Sequence, residues 1–357
     1  MKKLVLSDLH ESIGGKMVGF SGYYMPVQYE GVKAEHQIVR TAVGVFDVSH
    51  MGEIFVKGAG AEDFLQYVTS NDISQLSPGK IQYSCMPNGK GGIVDDLLVY
   101  KLAETSYLLV VNASNLDKDW AWLNENNKWD CELTNSSNKY SLLAVQGPKS
   151  IALLQELTDV DLSAIKYYNF KIGSIAGIDE VILSRTGYTG EIGFELYVKN
   201  ESAKQLWGAI FTTSIELKPI GLAARDTLRL EKGFCLYGND INETTSPIEA
   251  GLGWITKFTK DFVDAKLLKE QKEVGATRKL VGLELIDKGI ARKDYPIVDA
   301  DGNEIGMVTS GTMSPTLNVA IAMGYVPKAL SKIDTEVFIQ VRNKQLKARI
   351  VALPFVK

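Results

Sequence analysis

The sequence predicts an α+β chain that finishes in a small all-β barrel, and three observations carry that expectation. Apolar stretches of strand character follow one another across 81–112 with turn residues between them, as in a β-meander. From 140 to 233 short strands alternate with stretches of helical spacing, the mixed pattern of an α+β core. After 277 come six short strands, at 280–285, 295–298, 304–310, 319–326, 336–341 and 347–352, separated by turns such as Asp301-Gly302-Asn303. That spacing suggests a Greek-key barrel.

A chain of 357 residues exceeds one ordinary core, so two or three domains are expected. The division expected here is 1–275, two interleaved α+β subdomains, followed by the barrel at 276–357, with a charged helix at 266–272 as linker. A net charge of −4 argues against a large nucleic-acid footprint, which needs basic clusters. Cys85, Cys131 and Cys235 fall at no metal-type spacing, and an odd number argues against a disulfide framework. A reducing, cytoplasmic setting follows. No window approaches a membrane-spanning apolar run, and the apolar stretch after Lys2-Lys3 is too short for a signal peptide.

The elements follow in order. Ser21-Gly22-Tyr23-Tyr24-Met25-Pro26 reads as a turn with a Pro-constrained exit, and 33–40 as a short helix of mixed charge. His50 is one of three histidines and reads by default as a hydrogen-bonded structural residue. An amphipathic strand at 53–57 precedes helical spacing at 61–69. Strands at 81–86 and 107–112 flank Gly91-Gly92-Ile93-Val94-Asp95-Asp96-Leu97-Leu98-Val99-Tyr100. Both faces of that central strand are apolar, yet two aspartates sit in its middle, where Asp is disfavoured. Side chains alternate, so Asp96 shares a face with Val94, Leu98 and Tyr100 while Asp95 points the other way. One reading is a polar crossing point in the sheet. The other is a carboxylate that awaits a ligand's N–H or a proton.

Helical spacing returns at 115–126, then a strand at 141–145, the turn Gln146-Gly147-Pro148 and another helix. Tyr167-Tyr168-Asn169-Phe170 is an aromatic cluster, by default core packing. Strands at 181–185 and 193–198 enclose the Gly-punctuated loop 186–191, and Glu195 is a second acid among apolar strand residues. Two helices occupy 201–233. On the second, Arg225, Arg229 and Lys232 read mostly as a solvated face, with one arginine available to an anionic ligand. Residues 244–258 read as a loop and strand closing the first body. There is no Gly-rich phosphate loop or dinucleotide fingerprint.

Taken together, Gly22–Pro26, Phe46-Asp47-Val48-Ser49-His50-Met51-Gly52-Glu53, Gly91–Asp96, Gln146-Gly147-Pro148, Ser184–Glu191, Gly221–Asp226, Tyr237-Gly238-Asn239-Asp240 and Thr309–Leu317 resemble one family nearly end to end. That family is the aminomethyltransferases, the T-proteins of the glycine cleavage system. The resemblance implies a three-domain cloverleaf around a central channel that binds tetrahydrofolate. It implies a substrate aminomethyl group carried on the lipoyl arm of a separate carrier, the H-protein, and transient work with the other cleavage-system proteins. By resemblance Asp96 is the catalytic acid–base residue, and Glu195 accepts the pterin N–H donors with Arg225 and Tyr188 around the ring. Met51, Tyr83, Tyr100, Val110 and Asn112 line the pocket, Tyr168 flanks the benzoyl-glutamate tail, Asp95 is structural, and Arg292 has a structural or rim role. Many relatives carry Trp where this chain has Tyr23, and some continue past Lys357. Folate-binding relatives that assist iron–sulfur assembly carry a signature that Lys232–Asp240 lacks, and flavin-fused relatives need a dinucleotide motif. A non-catalytic folate- or carrier-binding module is the remaining alternative.

Overall fold

Segments 140–146, 178–184 and 193–199 carry runs such as Leu142–Val145, Val181–Leu183 and Leu196–Val198 that put apolar side chains on both strand faces, and the chain buries them in one sheet. The computed structural model describes residues 1–357. It divides into two units, each discontinuous in sequence. The first comprises Met1–Gln66, Ile73–Ser84 and Leu97–Asp226; the second comprises Tyr67–Asp72, Cys85–Asp96 and Thr227–Lys357.

The first unit holds a six-stranded sheet in the spatial order Phe170–Ile175, Ile178–Ser184, Gly193–Lys199, Tyr140–Gln146, Gly44–Asp47, Lys218–Pro219. Its core joins Val45, Leu143, Val145, Leu183, Phe194 and Leu196 to Leu206, Trp207 and Ile210 of the helix Ala203–Ile210. Each such fully buried aliphatic side chain contributes roughly 1.5–3 kcal/mol of transfer free energy. Register places Ser184 directly opposite Glu195 and Ile182 opposite Tyr197. Directly opposed residues share a sheet face, so Ser184, Glu195 and Tyr197 project the same way.

A five-stranded sheet runs Ile81–Pro87, Ile93–Ala103, Ser106–Val111, Gly52–Lys57, Glu132–Asn135. Its first two strands each pass from one unit into the other, so that Cys85–Asp96 belongs to the second. Leu98, Val110 and Glu53 lie in one cross-strand row, on one face.

The second unit ends in a closed six-stranded barrel. Its strands are Arg278–Leu285, Pro296–Val298, Glu304–Met313, Ala320–Pro327, Glu336–Val341 and Lys344–Val351. The first pairs with the fourth, and the second, third and fourth follow as hairpins, which is the Greek-key order. Leu283, Ile297, Val308, Ala322, Ile339 and Ile350 fill it.

Three expectations are corrected. Residues 23–28 form a strand, Tyr23–Gln28, central in a small sheet with Lys2–Lys3 and Lys16–Phe20. Pro26 is tolerated there because it sits opposite Met17 beside a register shift. Residues 244–258 form turns and a short 3₁₀ segment, Gly253–Ile255, and no strand. Finally, Arg229 is no solvated side chain. It is about 1% exposed and donates to Asp240 Oδ2 at 2.6 Å and Ser310 Oγ at 2.8 Å, all within the second unit.

Candidate active site

A set of buried hydroxyls in the first unit collects around Glu195. The strand Gly193–Lys199 carries it inward, and the residue is buried. Its Oε2 accepts the Thr186 hydroxyl at 2.5 Å. Thr186 Oγ1 lies 2.8 Å from Ser184 Oγ, which lies 2.9 Å from the Tyr100 hydroxyl, itself 2.9 Å from the Tyr197 hydroxyl. Burial pushes the Glu195 carboxyl above its usual range, while Thr186 and Arg225 pull it back.

The loop that carries Thr186 and Tyr188 is held from beneath. Gln146 Nε2 donates to Thr186 O at 3.1 Å, and Gln146 Oε1 accepts the Thr189 hydroxyl at 2.9 Å. A Cβ at Gly187 would stand 2.1 Å from Gln146 Oε1, so the loop lies flat on that amide only because position 187 is glycine. Arg40 adds a bond to Thr189 O at 2.6 Å and pairs with Glu191 at 3.0 Å.

Arg225 comes from the helix Leu222–Glu231. The start of that helix is fixed by buried Glu35, whose Oε2 accepts Gly221 N–H at 2.7 Å while Oε1 accepts the N–H groups of Tyr29 and Gly31. The Arg225 guanidinium lies over the Tyr188 ring, 4.6 Å from its centroid. Its field reaches Glu195, Tyr188 and Tyr197, and it also reaches His50. Burial first, and then Arg225, holds the His50 imidazole down to about 3. Sequence reasoning expects a hydrogen-bonded His50, but its Nδ1 is buried with no hydrogen-bond partner, and the ring meets Phe20 and Tyr23 edge-on. His50 is therefore a neutral, apolar-packed ring near the arginine.

The other pocket residues expected from sequence fall in the same unit. Met51, Tyr83, Asn112, Tyr168 and Tyr188 are partly exposed, and Val110 is buried on the Leu98–Glu53 row. Tyr168 adopts φ +60, an unusual backbone for a bulky residue, pinned by Tyr168 N–H to Arg185 O at 3.1 Å and Ile81 N–H to Tyr168 O at 2.9 Å. Its ring packs edge-on against exposed Tyr167 with centroids 4.8 Å apart. Tyr100 has no accessible surface, so it meets Glu195 only through Ser184 and Thr186. Sequence reasoning missed Ser184, Thr186 and Tyr197, although the alternation Ser184-x-Thr186 opposite Glu195 carries the signal.

Asp96 belongs to the second unit and is partly exposed, whereas Asp95 is fully buried. The field of Asp96 helps push up the buried Cys85 and Cys235 thiols, after burial itself. The turn leading into its strand is tightly anchored. Asp264 Oδ2 accepts Gly89 and Gly91 N–H at 2.8 and 2.9 Å, Ile93 N–H donates to Asn242 O at 3.1 Å, and the Tyr237 hydroxyl donates to Ile93 O at 2.8 Å. Arg292 donates to Gly311 O at 3.2 Å, a bond within the barrel domain.

A reduced heterocycle with adjacent N–H donors suits a carboxylate backed by hydroxyls and flanked by an arginine stacked on tyrosine. Comparison with known proteins bears on which chemistry that is. A family model described as the GCVT N-terminal domain matches residues 6–260, and one described as the glycine cleavage T-protein C-terminal barrel domain matches residues 278–357. An aminomethyltransferase of Flavobacterium psychrophilum is 58% identical over 100% of both chains, and one of Bacteroides fragilis is 56% identical over 100% of both. The crystal structure of glycine cleavage system aminomethyltransferase T from Bartonella henselae superposes with a TM-score of 0.94 at 37% identity, covering 99% of this chain and 98% of that one. With the carboxylate site built and the likeness running the full length of the chain, this protein belongs to the aminomethyltransferase family of the glycine cleavage system, folate-dependent one-carbon transferases.

Proposed function

We propose that the protein passes the methylene of an aminomethyl-lipoyl group, carried by an H-protein, to tetrahydrofolate, releasing ammonia and leaving 5,10-methylenetetrahydrofolate and the dihydrolipoyl carrier. The observation that carries this reading is Glu195, a buried acid on an apolar strand whose Oε2 is engaged by a hydroxyl and not by a lysine or arginine. Its other oxygen then accepts pterin N–H donors. Arg225 and Tyr188 flank the ring, and Met51, Tyr83, Val110, Asn112 and Tyr168 supply the surrounding walls, with Tyr100 behind. Asp96 orients the attacking nitrogen and accepts its proton as the new bond forms. Transient association with the other cleavage-system proteins, a cytoplasmic setting and a division of labour between 1–275 and 276–357 belong to the same reading. Free, buried thiols at Cys85, Cys131 and Cys235 support the compartment, and the two family matches support the division.

Mixing the protein with aminomethyl-loaded carrier and tetrahydrofolate should release ammonia. No release with active carrier would overturn the reading. Asp96→Asn should retain folate affinity and slow methylene transfer ~10²–10⁴-fold; turnover near that of the parent protein would remove Asp96 from the mechanism.

A further inference from the structure

The four hydroxyls behind Glu195 have a direction. Each carries one proton. An ionised carboxylate only accepts, so the Thr186 proton is committed to Glu195 Oε2. Thr186 Oγ1 must then accept from Ser184, Ser184 from Tyr100, and Tyr100 from Tyr197. Every bond in the series is 2.5–2.9 Å and every member is buried. Three strands and the 186–190 loop supply the members, and Gln146 fixes the loop from below. Bonds aligned head to tail in a low-dielectric interior polarise one another toward the acceptor.

We propose that Thr186, Ser184, Tyr100 and Tyr197 form a one-way hydroxyl chain that keeps Glu195 ionised and turns its second oxygen toward the ligand, which makes Thr186 a positioning residue for folate binding. The proposal rests on the reading of Glu195 as the acceptor of pterin N–H donors. Its need is electrostatic. Burial favours the protonated acid, and a protonated carboxyl would offer one acceptor fewer. The groups facing Glu195 from other elements are Arg225 on its helix, Tyr100 on the neighbouring sheet and Tyr167 on its loop, with Tyr197 on its own strand. All three tyrosines are pushed up and stay neutral near pH 7, so Arg225 is the one cation among them. The arginine is stacked on Tyr188, which leaves the hydroxyl chain as the direct partner of Oε2.

The test is tetrahydrofolate affinity of the full-length protein across about pH 5–9. For the parent protein, affinity should fall as pH drops through the Glu195 titration. Thr186→Val keeps the shape and deletes the donor. Affinity at pH 7 should weaken ~10-fold or more, and the midpoint of the fall should move up by about 1 pH unit. Thr186→Ser should restore both. Ser184→Ala, one hydroxyl further back, should move the midpoint the same way by less, and it carries the test should Thr186→Val fail to fold. The ligand's own titration is common to every variant, so only differences between variants count. An unmoved midpoint in folded Thr186→Val or Ser184→Ala, or a downward shift, overturns the chain. Glu195→Gln separates the two levels: it should weaken binding and abolish this pH dependence. If Glu195→Gln binds as the parent does, the reading of Glu195 itself has failed. If it weakens binding while Thr186→Val does not shift the midpoint, only the chain has failed.

Discussion

Two buried acids in the first unit show how much depends on a single partner. Glu195 has Thr186, whereas Glu53 has both carboxylate oxygens buried without a hydrogen-bond partner. Burial pushes the Glu53 carboxyl well above its usual range, and Lys2 opposes this only in part. The folded state therefore holds this proton more tightly than the unfolded chain does. Its contribution to stability is present in full below the unfolded value of about 4.5 and is lost as pH rises toward the folded value. Glu53→Met, which is close in volume and needs no partner, should raise stability at pH 8 by ~1–3 kcal/mol and flatten the decline of stability between about pH 5 and 8. Urea unfolding at several pH values measures both. Equal slopes for parent and variant would show that Glu53 has a partner in solution. At the same scale, Glu195→Ala should weaken tetrahydrofolate binding, read by direct titration, with unchanged affinity counting against the site. Both acids are visible in sequence as carboxylates within strands, but the partner that separates them comes from loop 186–190 and cannot be read from local pattern.

The element that bears most directly on the proposed chemistry is the turn feeding the Asp96 strand. The Pro87–Gly92 segment reads as a turn from composition alone, and so it folds. What composition does not show is how closely Gly92 approaches its neighbour: a Cβ there would stand 1.8 Å from Glu243 O. Gly92→Ala must push that backbone away and with it the start of the strand Ile93–Ala103. A loss of ~2 kcal/mol or more in stability is expected, together with a larger fall in kcat than in folate affinity, because Asp96 lies four residues on while the residues proposed to bind folate belong to the other unit. Thermal unfolding and steady-state kinetics would check it, and a variant with parental kcat would show the turn to be adaptable. The barrel strands were the easiest elements to foresee, since short apolar runs recur at regular spacing with turns such as Asp301-Gly302-Asn303 between them. The strand Tyr23–Gln28 was the hardest, because Pro26 argues against a strand and only the bulge opposite it makes room.

At the scale of the molecule each compact unit is discontinuous in sequence. Residues 67–72, 85–96 and 227–277 belong with the barrel in one unit. Within that unit Arg229 binds Asp240 and Ser310, and Glu231 accepts the Ser314 hydroxyl at 2.6 Å, the Thr316 hydroxyl at 2.8 Å and Thr316 N–H at 3.0 Å. These tie the end of the helix Leu222–Glu231 to barrel strands and loops. Removing one partner of a buried pair leaves the other charge uncompensated. Arg229→Ala should therefore cost about 3–5 kcal/mol, whereas the double variant Arg229→Met, Asp240→Leu should recover much of it. Chemical denaturation of the parent and both variants decides this. A small effect of the single change would mean that water compensates Asp240. No helix is long and apolar enough to cross a membrane.

The sequence by itself determined the α+β character, the barrel and the positions of the unusual acids, because period and turn chemistry are local properties of the chain. Family membership was legible for the same reason: its motifs are contiguous runs. Only the tertiary structure decided which acid has a partner, that Arg229 is buried while Arg225 stacks on Tyr188, and that Tyr100 stands behind Glu195. Those outcomes depend on residues of different elements, nine to 84 positions apart, meeting in space, and no periodicity in a single chain encodes such a meeting.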